Sequence, residues 1–255
     1  MLSALLPFMH RIKAVLFDLD NTLIDFTRMK SESVRAAARA MARAGLRVPP
    51  EKIEGMLWTL YQEHGIEYQK VFQKLLRATI GKIDYRILAA GIIAYRSAKQ
   101  EHLHAFPRAR FVLGELRKRG FKLGVVTDAS RMQAWTRLTQ AGLADFFQSV
   151  TAFEDVRVKK PHYIPFHTAA RKLSLTPDKI LFVGDSLKRD VAGAKKAGMR
   201  AAWARYGFES ARKRGMVPRF FEKKTARNLA RAKPDFVLSK FSDLLDVVPA
   251  RKQRK

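Results

Sequence analysis

Two kinds of hydrophobic pattern divide the chain, and together they predict a mixed α/β fold with a helical insertion. Short runs rich in apolar residues, which are typical of buried strands, occur near residues 12–17, 121–126, 149–152, 179–183 and 200–205, and a further short one begins the segment 235–248. From residue 106 onward, the segments between these runs show the three-to-four-residue spacing of amphipathic helices. Such an alternation predicts a parallel sheet that is covered by helices on both faces.

Residues 26–105 follow a different pattern, in which helical spacing continues without a convincing strand. Four candidate helices lie within residues 28–45, 51–65, 66–81 and 84–103. Four helices of this size can bury a core of their own. The pattern therefore predicts an α/β core formed by residues 1–25 and 106–248, an inserted helical domain at 26–105, and a basic disordered tail at 249–255.

Polar side chains that could take part in catalysis or ligand binding stand directly after several of the predicted strands. They are Asp18 and Asp20 after residues 12–17, Thr127 after 121–126, Asp185 and Asp190 after 179–183, and Lys160 in the loop beyond 149–152. Carboxylates seldom end a buried strand without a function, because burying them is costly. Since ligands of open parallel sheets bind beyond the carboxyl ends of the strands, these residues are expected to meet at one edge.

The residue types at this edge suit the handling of a phosphate group with a divalent cation. Clustered carboxylates repel one another unless a cation lies among them, and hard oxygen ligands suit Mg²⁺. Asp18 and Asp20 are two residues apart and so lie on the same side of an extended strand. One can act as nucleophile or metal ligand while the other transfers a proton, and Thr127 and Lys160 can bind the phosphoryl group.

Four short motifs carry a resemblance to the haloacid dehalogenase-like (HAD) superfamily. The segment "DLDNTL" at 18–23 matches its first motif, Thr127 the second, Lys160 the third, and "GDSLKRD" at 184–190 the acidic fourth. The motifs stand in the family's order, and the resemblance covers roughly residues 12–245. It implies a Rossmann-like sheet as a HAD-like core, with the helical insertion as a C1-type cap that closes over the site, excludes water and selects the substrate.

The resemblance also implies a role for each matched residue. Asp18 would attack phosphorus and become a transient aspartyl-phosphate, while Asp20 would protonate the leaving group and then activate water. The implied Mg²⁺ ligands are Asp18, the backbone carbonyl of Asp20, Asp185 and, directly or through water, Asp190, and the implied phosphate-binding residues are Thr127 and Lys160. The expected function is a Mg²⁺-dependent phosphatase that acts on a small anionic phosphorylated metabolite.

Some positions distinguish this chain within the superfamily. Asp20 favours phosphoryl transfer over carbon–halogen cleavage, because the dehalogenases need no leaving-group protonation and lack an acid there. A dehalogenase or a phosphomutase stays open as an alternative. Where the second motif commonly reads Thr-Asn or Ser-Asn, this chain has Asp128, to which the sequence assigns no role. Lys159 is a rival for the role of Lys160, and Asp25 is placed at the hinge of the insertion rather than among the catalytic acids.

The net charge of the chain suggests a second hypothesis, in which the main role of the protein is to bind nucleic acid or another polyanion. Its 50 Lys and Arg residues against 23 Asp and Glu residues give a net charge of +27. Such a balance attracts anionic partners and says nothing about fold. Residues 208–233 combine nine basic side chains with Phe220-Phe221, a composition that suits nucleic-acid or polyanion contact through this segment and the C-terminal tail. The alternative, a solvated surface helix and loop, is the favoured interpretation of the same segment.

Composition also excludes some classes of chemistry. The chain has no Cys, which excludes disulfides, thiolate nucleophiles and Cys-based zinc sites. The apolar patch at residues 1–8 has no basic region before it, lacks a small-residue cleavage site and is too short to span a bilayer. The sequence thus predicts a cytoplasmic protein without a transmembrane segment, which begins naturally at Met1 or Met9. It carries no signal for an oligomeric state.

Overall fold

The computed structural model describes residues 11–213 and 232–248, and these form two compact units. The core unit takes in the chain up to Thr27 and again from His104, and the helical unit is Arg28–Leu103. Both candidate start sites, most of the basic segment 208–233 and the basic tail lie outside the described residues. Within the described ranges, no helix is both long enough and apolar enough to cross a membrane.

The core unit is built on one sheet of six strands. They are β1 (Ala14–Phe17), β2 (Lys122–Val126), β3 (Ser149–Thr151), β4 (Ile180–Gly184), β5 (Arg200–Ala204) and β6 (Phe236–Leu238). Their order is β3-β2-β1-β4-β5-β6, and every neighbouring pair is parallel. This is the strand order of a Rossmann-like sheet, so the predicted fold class is confirmed.

The four predicted helices are α1 (Phe26–Arg43), α2 (Pro50–His64), α3 (Val71–Ile80) and α4 (Tyr85–His102). They make up the helical unit, except that the first two residues of α1 belong to the core unit. They bury an apolar cluster of their own, which includes Met41 of α1, Leu57 of α2, Leu75 of α3 and Leu88 of α4. The predicted third helix begins at Val71 rather than at residue 66. The chain before it forms a turn instead, in which the Tyr68 N–H donates to the Gly65 carbonyl at 3.0 Å.

The remaining helices belong to the core unit and cover the sheet. They are α5 (Ala109–Lys118), α6 (Arg131–Gln140), α7 (Phe153–Val156), α8 (Tyr163–Lys172), α9 (Ala192–Lys196), α10 (Arg205–Lys213) and α11 (Leu244–Val247). On one face of the sheet, Phe182 of β4 packs edge-on against Phe166 of α8, with ring centroids 4.9 Å apart. On the other, Phe17 of β1 stacks on Phe241 at 6.0 Å. Successive residues of a strand therefore pack into two separate apolar layers, one on each face of the sheet.

Helix α10 begins where the sequence pattern predicts the last residue of a strand. The strand was expected to run through Arg205, but β5 ends at Ala204 and the helix starts at Arg205. Tertiary contacts explain the change, because α10 packs on the loop that follows β1. The Tyr206 hydroxyl donates to the Thr22 carbonyl at 2.7 Å, and the Ser210 hydroxyl lies 3.1 Å from an Asp25 carboxylate oxygen.

The register of the central strands brings their carboxyl ends to the same level. Phe17 of β1 pairs with Val125 of β2 on one side and with Val183 of β4 on the other. The residues that follow these strands therefore emerge at one edge of the sheet, and β1 lies between the other two. That edge is where the predicted site residues are found.

Candidate active site

The loop after β1 is a compact turn that fixes Asp18 at the edge of the sheet. The Asp18 N–H still donates to the Val183 carbonyl at 2.9 Å, so the residue continues the strand pairing. Asn21 adopts a positive φ of 59°, and its side-chain oxygen accepts hydrogen bonds from the Thr27 N–H at 2.9 Å and the Thr27 hydroxyl at 2.7 Å. Asn tolerates this backbone conformation better than most residues, so it can both turn the chain and tie down the start of α1.

Lys160 forms ion pairs with two of the acidic residues of the site. Its side chain is buried, and Nζ lies 2.6 Å from Asp18 Oδ1 and 2.7 Å from Asp190 Oδ1. Nζ also donates to the Val126 carbonyl at 3.1 Å. Lys159, the rival in the sequence, has its Nζ 5.7 Å from the ring centroid of Phe153 instead. The structure thus brings Lys160 to the acidic strand ends.

Three carboxylates cluster here, and two of them, Asp18 and Asp190, contact this ammonium group. Asp18, Asp185 and Asp190 each offer an oxygen within 4.8 Å of the others, and all three residues are buried. Asp190 is held by the Ser186 N–H, which donates to its Oδ2 at 2.9 Å. Gly184 permits this packing, because a Cβ at that position would lie 2.4 Å from the Asp190 Cβ.

Electrostatics leave this cluster short of positive charge. Burial raises the pKa of Asp18 to about 7, against the opposing effect of Lys160, and the charge of Asp190 adds to the rise. Burial also raises the pKa of Asp185 well above its ordinary value, and the charges of Asp190 and Asp18 raise it further. Burial alone would lower the pKa of Lys160, but Asp18 and Asp190 outweigh it and raise that pKa above its usual range. The Arg189 guanidinium also lowers the pKa of Asp18 and Asp185, and it faces Asp128 as well as the three clustered carboxylates. Lys160 and Arg189 together therefore do not balance these four carboxylates.

The donor set fits a hard divalent cation. Asp185 Oδ1 is buried and has no hydrogen-bond partner among the described residues, so it has an unused acceptor beside two other carboxylates. Burying a charged oxygen without a partner costs free energy, which a bound cation would offset. Carboxylate oxygens without nitrogen or sulfur donors are the ligands that Mg²⁺ prefers.

Thr127 is buried at the end of β2, next to this cluster in the register of the sheet. Its N–H donates to the Thr151 carbonyl at 2.9 Å, and its hydroxyl oxygen accepts from the Ala129 N–H at 3.1 Å. A hydroxyl that accepts one hydrogen bond can donate its own hydrogen to another acceptor. The side chain is therefore oriented by the turn after β2 and can donate to an oxygen of a ligand.

Asp20 lies outside the three-carboxylate cluster and has a different partner. Its Oδ2 accepts a hydrogen bond from Arg137 Nη1 at 2.6 Å. Arg137 is on α6 and only 2% exposed, and its guanidinium carbon lies 4.7 Å from the ring centroid of Phe26. Sequence reasoning missed this residue. The available signal was its position, since Arg137 shares the inward face of α6 with Ala134 and Leu138.

Asp128, which the sequence left without a role, connects two loops of the candidate site. Its Oδ1 accepts a hydrogen bond from the Lys160 N–H at 3.0 Å, and its Oδ2 lies 3.6 Å from Arg189 Nη1. Arg189 immediately precedes Asp190, so Asp128 contacts both the loop that carries the lysine and the turn that carries the acid. The side chain therefore holds Lys160 in register with the end of β2.

Substitution of Asp128 should separate these two contacts. Asp128→Asn keeps the acceptor for the Lys160 N–H, so we expect turnover within about threefold of the wild type. Asp128→Ala leaves that N–H without its partner, at a cost of about 1–3 kcal/mol, and should lower kcat about tenfold or more. Steady-state rates of the two variants provide the test. Equal losses in both would mean that the negative charge of Asp128 opposite Arg189, and not the acceptor for the Lys160 N–H, is what matters.

Comparison with known proteins gives a consistent picture. A family model described as haloacid dehalogenase-like hydrolase matches residues 15–204. A glyceraldehyde 3-phosphate phosphatase from Methanopyrus kandleri is 35% identical over 239 residues, which cover 93% of this chain and 97% of the relative. A phosphoglycolate phosphatase from Salmonella paratyphi A is 30% identical over 254 residues, with 93% and 92% covered.

Solved structures agree on the architecture. A HAD phosphatase from Thermococcus onnurineus superposes with a TM-score of 0.62 at 22% identity, and the match covers 94% of this chain and 99% of the other. At that identity the likeness concerns the fold. The relatives named above carry the names of phosphatases and lend no support to a nucleic-acid partner, which stays a prediction.

Proposed function

The chain belongs to the haloacid dehalogenase-like hydrolases and is a hydrolase of phosphate esters, and from that premise we propose a specific reaction. In this proposal the protein is a Mg²⁺-dependent phosphatase that hydrolyses a small phosphorylated metabolite through an aspartyl-phosphate on Asp18. The observation that carries the proposal is the position of Lys160, whose Nζ lies 2.6 Å from Asp18 Oδ1 at the buried end of β1. A buried ammonium group there can orient the nucleophile and neutralise the anionic groups that must approach it.

In the first half of the reaction, a carboxylate oxygen of Asp18 attacks phosphorus. The bond between phosphorus and the leaving oxygen breaks, and Asp20 donates a proton to that oxygen so that it departs as an alcohol. The Thr127 hydroxyl and the Lys160 ammonium donate hydrogen bonds to the phosphoryl oxygens. Each donor is already oriented by the contacts described above, so little reorganisation is needed at the moment of reaction.

In the second half, water hydrolyses the aspartyl-phosphate. Asp20, now ionised, takes a proton from the water, whose oxygen attacks phosphorus and releases inorganic phosphate from Asp18. The proton balance then matches the starting state. Asp18, Asp185, Asp190 and the backbone carbonyl of Asp20 would hold Mg²⁺, which supplies positive charge to the phosphoryl oxygens when bound.

The proposed substrates are phosphate esters of short metabolites. The two relatives at 30% identity or more that are named above act, by their names, on glyceraldehyde 3-phosphate and phosphoglycolate. We place these two compounds first among the candidates. The helical unit Arg28–Leu103 corresponds in sequence to the predicted cap, and a role of this unit in substrate choice is part of the same proposal.

A panel of phosphorylated metabolites tests the proposal. Phosphate release should require Mg²⁺, should stop in excess EDTA, and should be fastest for one or a few small phosphate esters. The panel includes glyceraldehyde 3-phosphate, phosphoglycolate, sugar phosphates, nucleotides and p-nitrophenyl phosphate. Phosphate release from none of them in the presence of Mg²⁺ would contradict the proposal, and chloride release from haloacids would redirect it to dehalogenation.

The raised pKa values predict how stability depends on pH when Mg²⁺ is absent. Between the ordinary value of 3.8 and about 7, folded Asp18 keeps a proton that the unfolded chain has released. The folded state therefore binds more protons, and its stability falls as the pH rises through this window. Thermal melts in EDTA should show this fall, and Mg²⁺ should raise the melting temperature more at pH 8 than at pH 5. An equal or larger effect of Mg²⁺ at pH 5 would argue against a cation among these carboxylates.

Asp185→Asn gives a matched test of the same site. Removing one of three clustered carboxylates relieves repulsion, so the metal-free variant should melt about 2–4 °C higher, which corresponds to about 1 kcal/mol. The variant should also lose the stabilisation by Mg²⁺ and most of the activity. Asp178→Asn makes the same change of charge at an exposed position and is expected to alter neither property. A lower melting temperature of Asp185→Asn in EDTA would show that repulsion does not dominate.

A further inference from the structure

The reaction proposed above uses Asp20 for proton transfer but gives no role to Arg137, with which Asp20 forms an ion pair. Arg137 Nη1 lies 2.6 Å from Asp20 Oδ2. The arginine is almost completely buried, whereas the Asp20 side chain is 26% exposed. Burying a guanidinium costs free energy unless its partner is well placed, so chance packing is a poor explanation.

From this geometry we infer that Arg137 is a positioning residue for Asp20. It fixes the side-chain torsion angles of Asp20, so that the carboxyl group is aimed for proton transfer to the leaving oxygen. The inference rests on the proposed function, because it assigns Asp20 the proton-transfer role given there.

The surroundings make Arg137 a rigid support. Helix α6 begins at a capping box, in which the Ser130 hydroxyl accepts from the Gln133 N–H and the Gln133 side chain accepts from the Ser130 N–H. Ala134 and Leu138 on the same helix face are fully buried. The guanidinium also lies over the Phe26 ring, which limits its own rotation.

If Arg137 positions the proton donor, its loss should slow some substrates more than others, depending on the leaving group. Loss of proton donation slows the departure of a basic alkoxide strongly, whereas an acidic leaving group such as p-nitrophenol departs with little help. A purely structural role of Arg137 would instead slow both kinds of substrate by the same factor. The dependence on the leaving group therefore distinguishes the two roles.

The test compares Arg137→Met with wild type on an alkyl phosphate, such as glycerol phosphate, and on p-nitrophenyl phosphate. Release of the leaving group is followed in a single turnover with enzyme in excess and Mg²⁺ present, so that only the first half of the reaction is measured. We expect the rate with the alkyl phosphate to fall about 10²-fold, within the range of general acid catalysis, and that with the aryl phosphate to fall by less than about fivefold. KM should change by less than about threefold for both.

Three variants complete the design. Arg131→Met removes an exposed arginine from the same helix, whose ion pair is with Asp155, and should behave as wild type. In an Asp20→Asn background, Arg137→Met should cause no further loss, because the two residues act through one group. Arg137→Lys keeps the charge without the planar guanidinium and should show an intermediate, still selective loss; it replaces Arg137→Met if that variant does not fold.

The possible results separate the inference from the proposed function. Equal losses on both substrates, or an additive loss in the Asp20→Asn background, would overturn the role of Arg137 and leave the phosphatase proposal intact. A wild-type protein that releases no leaving group from either substrate would contradict the proposed function itself. A selective and non-additive loss establishes the positioning role.

Discussion

Asp18→Asn should abolish turnover, with a loss of at least about 10³-fold in kcat on any phosphate ester that the wild type hydrolyses. The amide is nearly isosteric with the carboxylate, but it is a poor nucleophile. It also lacks the charge that pairs with Lys160 Nζ at 2.6 Å. The wild type should further accumulate an acid-stable phosphoenzyme when it is quenched during turnover, and the variant should accumulate none.

Asp25→Asn is the matched control for this experiment. It makes the same chemical change seven residues along the chain, where the side chain contacts the Ser210 hydroxyl rather than Lys160. We expect its turnover to stay within about threefold of the wild type. Turnover that survives in Asp18→Asn at more than about a hundredth of the wild-type rate would rule out Asp18 as the nucleophile, whatever the control shows.

Gly207→Ala should destabilise the protein and inactivate it together, although it places a good helix former in α10. Helix propensity alone predicts that the alanine stabilises by up to about 1 kcal/mol. In this structure a Cβ at residue 207 would lie only 1.6 Å from the Asn21 carbonyl oxygen and 3.3 Å from the Asp185 Cβ. The backbone of α10 must therefore withdraw, or the loop after β1 must move.

Either movement disturbs the site directly, because that loop carries Asp18 and Asp20. We expect a loss of about 1–3 kcal/mol in the free energy of unfolding, as for overpacked positions. A displacement of about 1 Å at the proposed catalytic groups should lower kcat on the order of 10²-fold. Chemical denaturation and steady-state rates measure the two effects on the same preparation.

Gly55→Ala is the control for the helix effect. Gly55 lies within α2, where nothing stands within 4 Å of the added Cβ. That variant should be more stable by up to about 1 kcal/mol and fully active. If Gly207→Ala matched Gly55→Ala in stability and activity, α10 would not pack on the loop as tightly as described.

The buried strands of a parallel sheet and the identity of the acidic residues that follow them were within reach of the sequence. Apolar runs such as residues 14–17 and 180–183 are distinctive because a central strand of a parallel sheet is buried on both faces. The placement of Asp18 and Asp185 then follows from topology, since parallel strands end at the same edge. The family and the hydrolase class predicted from the four motifs are confirmed by the comparisons.

The start of helix α10 and the partners of the acidic residues could not be predicted from the sequence pattern. Nothing in the sequence near Arg205 marks the end of a strand, because the helix depends on Tyr206 and Gly207 meeting a loop more than 180 residues earlier in the chain. The choice of Lys160 over Lys159 likewise depends on which side chain the loop directs inward. Such contacts are not encoded by any local periodicity.

The sequence by itself determined the class of fold, the helical insertion within it and the set of acids at the strand ends, because burial patterns and motif order are local properties of the chain. Only the tertiary structure decided which groups touch: Asp18 with Lys160, Asp128 with the backbone of Lys160, and Asp20 with Arg137. These pairs join residues that lie 32 to 142 positions apart in sequence. Their formation depends on the packing of separate loops and helices around one sheet edge, and that packing fixes the orientation of the charged side chains.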